Sequence, residues 1–356
     1  QDTLFKTLDP ERVIPILSAS IKIDIDSWLW SFDVTLARHT DVQYIWPVPT
    51  PIECQLNING YAWFVQVEKV QRTYEYGVGT YKVSGRSDVA FLDAPQAVKQ
   101  TKTWASLTNA NNLCYDEVDS VSPIVNWTWD MPVNWNIPAN VYSVSNMTKL
   151  QIIKEVVEAG GGFVTTKHFH VGDVRERRLI AKTRYIKSPK NWYTAPAVGP
   201  TIIEYLNPGN VFNLSPTTNP QPKYDHMYVT GDKVGVITHV KRSGEPFTNH
   251  KPTVTHPLIL TQQVAGERGR VELDMTGYDQ VIYSFDTPLP IYGSSPPTLL
   301  IPGDIIRVTD LFSVWVGMVR SVNVSVTSAS GKSIKPGVTM SLEVERHILS
   351  TETYSE

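Results

Sequence analysis

Two cysteines in 356 residues, Cys54 and Cys114, are too few for a disulfide framework, and neither sits in a CxxC or Cys/His spacing suited to zinc. Folding with both thiols reduced is the plainer expectation. Long apolar runs are also missing: Val314 to Val319 falls far short of the roughly 18–20 residues a membrane-spanning helix needs. Nor is there an excess of one charge. Lys and Arg number 32 against 35 Asp and Glu, a net charge of −3, which excludes a nucleic-acid-binding polycation. The opening Gln1-Asp2-Thr3-Leu4-Phe5 lacks the basic and apolar regions of a secretory signal. The sequons at Asn126, Asn146, Asn213 and Asn323 are what chance gives in a chain this rich in Asn, Ser and Thr.

Catalytic signatures are absent as well. The sequence holds no GxSxG, HExxH, P-loop or Rossmann glycine pattern in context, and neither cysteine stands in a nucleophile motif. Carboxylates such as Asp24 with Asp26 or Asp116 with Glu117 have no neighbours that mark an acid/base couple. His168-x-His170 could chelate a metal with His226 or His239 as a third ligand, but a surface pair on an edge strand explains it more simply. The expectation is no enzyme, no metal and no cofactor. The basic stretch from Arg175 to Lys190 is interrupted by Glu176 and carries no aromatic ladder, so it reads as a solvated face or a protein interface. Trp127, Trp129 and Trp135, set among asparagines, fit either a core or interface anchor or a sugar-stacking platform. A β-rich carbohydrate-binding protein is therefore the alternative function, and a cell-wall hydrolase a third without a catalytic constellation.

What is present is mostly alternation. With 41% hydrophobic and 19% charged residues the chain is globular, and its length allows two to four domains. Ile21, Ile23 and Ile25 are followed by Trp28, Trp30, Phe32, Val34 and Leu36, and the parity changes at Asp26-Ser27, which requires a bulge or a corner between strands. Leu56 and Ile58 run into Asn59-Gly60, the signature of a type I′ hairpin returning through Trp63, Val65 and Val67. Tyr74 to Val83 around Gly77-Val78-Gly79 continues a meander that ends near Pro95. The spacing of Leu150, Ile153, Val156 and Val157 predicts a helix from Met147 to Ala159, capped by Ser145 or Asn146 and ended by Gly160-Gly161-Gly162. Strands are expected at Phe163 to His170 and Arg178 to Ile186, a loop and domain boundary at Asn207 to Pro222, and a short helix at Gln262 to Met275. Asp304 to Thr309, Val314 to Val326 and Val338 to Val344 form a last meander.

One pattern occurs twice. Trp63-x3-Val67-x2-Val70-x3-Tyr74 matches Trp315-x3-Val319-x2-Val322-x3-Val326, each preceded by a proline and an acid, Pro51 with Glu53 and Pro302 with Asp304. Two copies of one small barrel-like module would follow, with Trp63, Val67, Val70, Trp315, Val319 and Val322 as core or interface anchors. Three such chains in a closed ring would present six similar modules.

Several segments, in order, resemble the tail hub proteins of bacteriophages, the family of the phage Mu baseplate hub and the late-control proteins. They are Ser27-Trp28-Leu29-Trp30-Ser31-Phe32, Ile58-Asn59-Gly60-Tyr61-Ala62-Trp63, Tyr81-Lys82-Val83-Ser84-Gly85-Arg86-Ser87, His256-Pro257-Leu258-Ile259, Ala265-Gly266-Glu267-Arg268-Gly269-Arg270 and Ile301-Pro302-Gly303-Asp304-Ile305. The resemblance implies a mainly β, multi-domain chain with minor α content. It divides into a tube-like β-barrel domain at 1–95, an α+β middle domain at 96–205, a second middle region with barrel strands at 206–298, and the last meander of a second barrel at 299–356. It also implies a homotrimer at the virion tail tip, assembled in the bacterial cytoplasm. Its partners would be a tail tube or distal-tail protein, a spike or central fibre and the tape-measure protein, around a lumen that passes DNA without reading its sequence.

Overall fold

The computed structural model describes residues 3–75, 78–119, 125–167, 169–170, 177–192, 203–205, 211–292, 299–309, 314–327 and 337–348. Its largest feature is a 14-stranded sheet, ten strands of which form two five-stranded meanders. The first contains β1 (Ile16–Asp24), β2 (Ser31–Leu36), β3 (Ile52–Ile58), β4 (Tyr61–Glu75) and β5 (Val78–Ser87). The second contains β6 (Phe212–Asn219), β7 (Asp279–Pro288), β8 (Ile305–Thr309), β9 (Val314–Thr327) and β10 (Val338–Ile348). Spatial order is β1-β2-β5-β4-β3 in one and β6-β7-β10-β9-β8 in the other.

The two copies share their registers. Leu56 faces Trp63 and Glu53 faces Gln66 in the first hairpin, as Val308 faces Trp315 and Ile305 faces Met318 in the second. On the other side, the β4–β5 ladder slips by one residue between Val67 and Lys69, and the β9–β10 ladder slips between Val319 and Ser321. Glu68 and Arg320 are thus the extra residues of equivalent bulges, which re-aim the strand and strengthen its twist. The conserved spacing after each tryptophan follows from these matched bulges: both strands bring Trp, Val and Val to the interior on either side of the same irregularity.

Asn59 and Gly60 take positive φ of 52° and 87°, as the type I′ turn requires, and Ile58 pairs directly with Tyr61. The parity change at Asp26-Ser27 is a corner: β1 ends at Asp24, the Ser27 hydroxyl closes the turn on the Asp24 carbonyl at 2.9 Å, and β2 starts at Ser31. Two expectations are corrected. Phe212–Asn219, read as a boundary loop, is a strand paired with β7 through Ser215 to Asn219. Ala110–Asp119, where the sequence pattern predicts no element, is helix α1, with Ala110, Leu113, Cys114 and Val118 buried on one side.

Helix α2 (Lys149–Ala159) begins two residues later than the sequence suggests, because Thr148 supplies a full capping box with Gln151. Helix α3 (Gln262–Asp274) is capped by Thr261 and lies in a segment inserted between β6 and β7, packed on the small sheet of His226–Thr230, Ile237–Lys241 and His250–Thr255. Helices α1, α2 and α3 contribute to one hydrophobic core, whereas both meanders share another that holds Trp30, Phe32, Trp63, Val67, Tyr283, Phe285, Trp315 and Val319. The meanders meet edge to edge: β1 pairs antiparallel with β9 from Asp24 opposite Ser321 to Ser18 opposite Thr327. They do not close as two separate rings among the described residues.

Candidate assembly interface

The repeated residues lie inside the chain. Trp63, Val67, Trp315, Val319 and Val322 are buried, and Val70 is packed partly buried against the same core. Trp63 meets Trp30 edge-on at 5.7 Å between ring centroids, and Trp315 stacks on Tyr283 at 4.2 Å. The Trp30 indole donates to the Thr166 carbonyl at 3.2 Å, tying the first meander to the middle region. A buried indole pair with this geometry adds to the area it removes from water.

The equivalent bulges carry ion pairs of opposite sense. Glu68, at the first bulge, receives a two-pronged contact from Arg86 on β5, with Nε to Oε2 at 3.0 Å and Nη2 to Oε1 at 2.8 Å. Arg86 also reaches Asp93 at 2.8 Å. At the second bulge the cation is on the extra residue: Arg320 lies 3.5 Å from Glu345 on β10. Glu345 is buried and also accepts from the Tyr185 hydroxyl at 2.6 Å and lies 2.5 Å from His347 Nε2. Burial pushes its carboxyl up, but the His347 contact, the Tyr185 hydrogen bond and the Arg320 charge outweigh this and hold it below the ordinary value.

The duplicated frame differs most at its edges. In the second meander, β8 covers one edge of β9 up to Met318, and β1 covers that edge from Ser321 onward. In the first, β3 covers β4 from Tyr61 to Val67, and among the described residues no strand continues along that edge from Lys69 to Glu75. Residues 71–74 are exposed, Tyr74 at 63%, whereas among their counterparts 323–326 beside β1 none is exposed and Val324 is at 0%. The outer edge of β6 likewise has no partner among the described residues, and Ser215 to Asn219 are exposed. Away from these two edges, Trp46, Val48, Tyr44 and Val13 are exposed, and Arg12 stacks over the Tyr44 ring at 3.6 Å. Sequence reasoning missed both surfaces, since nothing in a strand's own residues states which of its edges is covered.

Trp127 and Trp129 lie half-buried on the strand Val125–Asp130, and Trp135 is buried behind Trp129 at 6.2 Å. The Trp127 indole donates to Asn111 at 2.8 Å and that of Trp129 to the Val133 carbonyl at 3.2 Å. His168 and the His170 side chain lie outside the described residues, as does Arg175. His226, His239 and His250 share one face of the inserted sheet, with His226 central at 5.3 Å and 5.1 Å from the other two rings. Among the described residues no group of three His, Cys, Asp or Glu is placed to hold a metal ion.

No protein-family profile matches the chain, and no curated protein matches its sequence. Solved structures do. A tail protein from Neisseria meningitidis superposes with a TM-score of 0.65 at 12% identity, over 97% of this chain and 96% of that one. A prophage MuSo2 43 kDa tail protein from Shewanella oneidensis gives 0.62 at 13% identity, over 97% and 98%. An Escherichia coli component of the type VI secretion system, described as structurally similar to the T4 bacteriophage tail proteins gp27 and gp5, gives 0.55 at 9% identity, over 96% and 76%. The chain therefore has the fold of phage tail and baseplate-type proteins along nearly its whole length.

Proposed function

We propose that the chain is a structural protein of a phage-type tail, working as a trimeric hub rather than as an enzyme. The observation that carries this reading is the duplicated meander, with one register and one bulge position in both copies. A protein with two like modules, repeated three times about an axis, offers six similar attachment faces and so joins a sixfold tube to a threefold spike or central fibre. The full-length likeness to tail proteins supports the same role. In this reading the two meanders, one from residues 1–95 and one from the strands of 206–298 and 299–356, are the two tube-like modules, joined in one sheet rather than closed as separate barrels, and 96–205 form the middle domain. The lumen of the ring would hold the tape-measure protein and later pass DNA. Its location would be the virion tail tip.

Mass photometry with negative-stain imaging tests it. The expected particle has three times the 40.0 kDa chain mass and a central hole. A chain that stays monomeric at every concentration, alone and with its tube partner, would remove the hub reading.

A further inference from the structure

We propose that the outer edge of β6 in one copy of the chain pairs antiparallel with the uncovered second half of β4 in a second copy, repeating between chains the β1–β9 ladder that each chain makes within itself. The inference rests on the ring reading and adds the strands, the register and the residues of the contact.

The internal duplication supplies the register. Strands β4 and β9 are equivalent through their hairpins and bulges, so Lys69, Val70, Gln71 and Thr73 stand where Ser321, Val322, Asn323 and Ser325 stand. Strands β1 and β6 are equivalent through the next strand: Ile21 faces Phe32, which faces Gly85, just as Pro216 faces Tyr283, which faces Val344. Within the chain, Val322 faces Ile23, Asn323 faces Lys22 and Ser325 faces Ser20. Carried over, Val70 of one copy faces Thr218 of the next, Gln71 faces Thr217, and Thr73 faces Ser215.

Three physical features favour the pairing. Both edges present backbone donors and acceptors that a ladder would satisfy. The opposed side chains include no like charges: Lys69 meets Asn219, and Gln71 and Thr73 meet neutral hydroxyls. Tyr74, exposed at 63%, comes opposite the half-buried Leu214 and gains an apolar neighbour. Pro216 has no amide to give, so bonding is carried by the residues on either side of it, and Arg72 opposite remains over the Tyr74 and Tyr81 rings. The seam is more polar than the β1–β9 seam, whose Val322 and Val324 are buried. Each copy offers one β6 edge and one β4 edge, a head-to-tail contact that closes when the rotation returns to the start.

Directly opposed residues on antiparallel strands lie about 4.5–5.5 Å apart at Cα, within disulfide reach. The test is the double variant Gln71→Cys with Thr217→Cys, oxidised and run on a non-reducing gel beside the native mass measurement. Cys54 and Cys114 are buried and do not compete. The expected product is a covalent trimer that reductant returns to single chains, with little crosslinking in the offset control Gln71→Cys with Asn219→Cys. A trimeric particle whose Gln71/Thr217 pair stays reduced, or crosslinks no better than the offset pair, overturns this junction and leaves the trimer standing. Absence of any trimer overturns both.

Discussion

Trp63 and Trp315 show how much of this molecule rests on single side chains. Each fills the interior on the hairpin side of its bulge, packed against a different aromatic partner, and each is buried. Truncation leaves a cavity as well as lost transfer energy, so Trp63→Ala and Trp315→Ala are each expected to lose about 3–5 kcal/mol of stability. Denaturant unfolding monitored by circular dichroism measures it; near-wild-type midpoints in both variants would mean that neither is a core anchor. Gly85 is a smaller case of the same constraint. It lies opposite Val67 at the bulge, and a Cβ built there would stand 1.8 Å from the Gln66 carbonyl oxygen, so the backbone approach at this point depends on a missing side chain.

At the scale of elements, the capping box of α2 links a helix to the first meander. The Thr148 hydroxyl accepts from Gln151 N at 3.3 Å and donates to Asp93 at 3.0 Å, and Asp93 is held by Arg86. Thr148→Ala should cost about 0.5–2 kcal/mol, at the upper end because a part-buried carboxylate contact goes with the cap; thermal unfolding of the variant checks it. The sequence showed the hairpin at Asn59-Gly60, the corner after Asp24, the span of α2 and the span of α3, because each rests on local rules of turn geometry, parity or periodicity. It hid β6, whose Asn213, Pro216, Thr217, Thr218 and Asn219 are turn formers in composition and gain strand geometry only from β7, on the far side of an inserted helix and sheet. It hid α1 behind its shortness, although Ala110, Leu113, Cys114 and Val118 follow helical spacing and the Asn109 side chain accepts from Asn112 N at 2.8 Å. The interface was the least legible part. Anchors repeat in sequence, but an uncovered edge is a property of two strands and their surroundings.

For the molecule as a whole, acid should loosen the inserted segment before the meanders. His256 follows the last strand of the small sheet, accepts from Leu258 N at 3.2 Å, and is pushed down to about 4, chiefly by burial and then by the Arg268 charge. A histidine whose folded value lies below its unfolded value of 6.5 favours the native state while neutral. That contribution is complete above pH 6.5, declines as the unfolded chain takes up its proton, and is gone by about pH 4. His256→Asn should therefore flatten the pH dependence of the melting temperature across this window; an unchanged slope would place the acid sensitivity elsewhere.

The charge pairs at the two bulges bear on how the chain reaches its fold. Repeats that share a register invite strands to trade places, because β10 would fit beside β4, and β5 beside β9, with the same slip and much the same apolar face. Such an exchange would set Glu345 against Glu68 and Arg86 against Arg320, like charges that are half-buried or deeper, so both mispaired species are penalised at a single point. A nascent chain with only its first module complete already holds Glu68 with Arg86, and the later strands find there neither a vacant partner nor a charge that suits them. By this inversion the two halves can stay alike enough to take equivalent places around an axis without becoming interchangeable during synthesis.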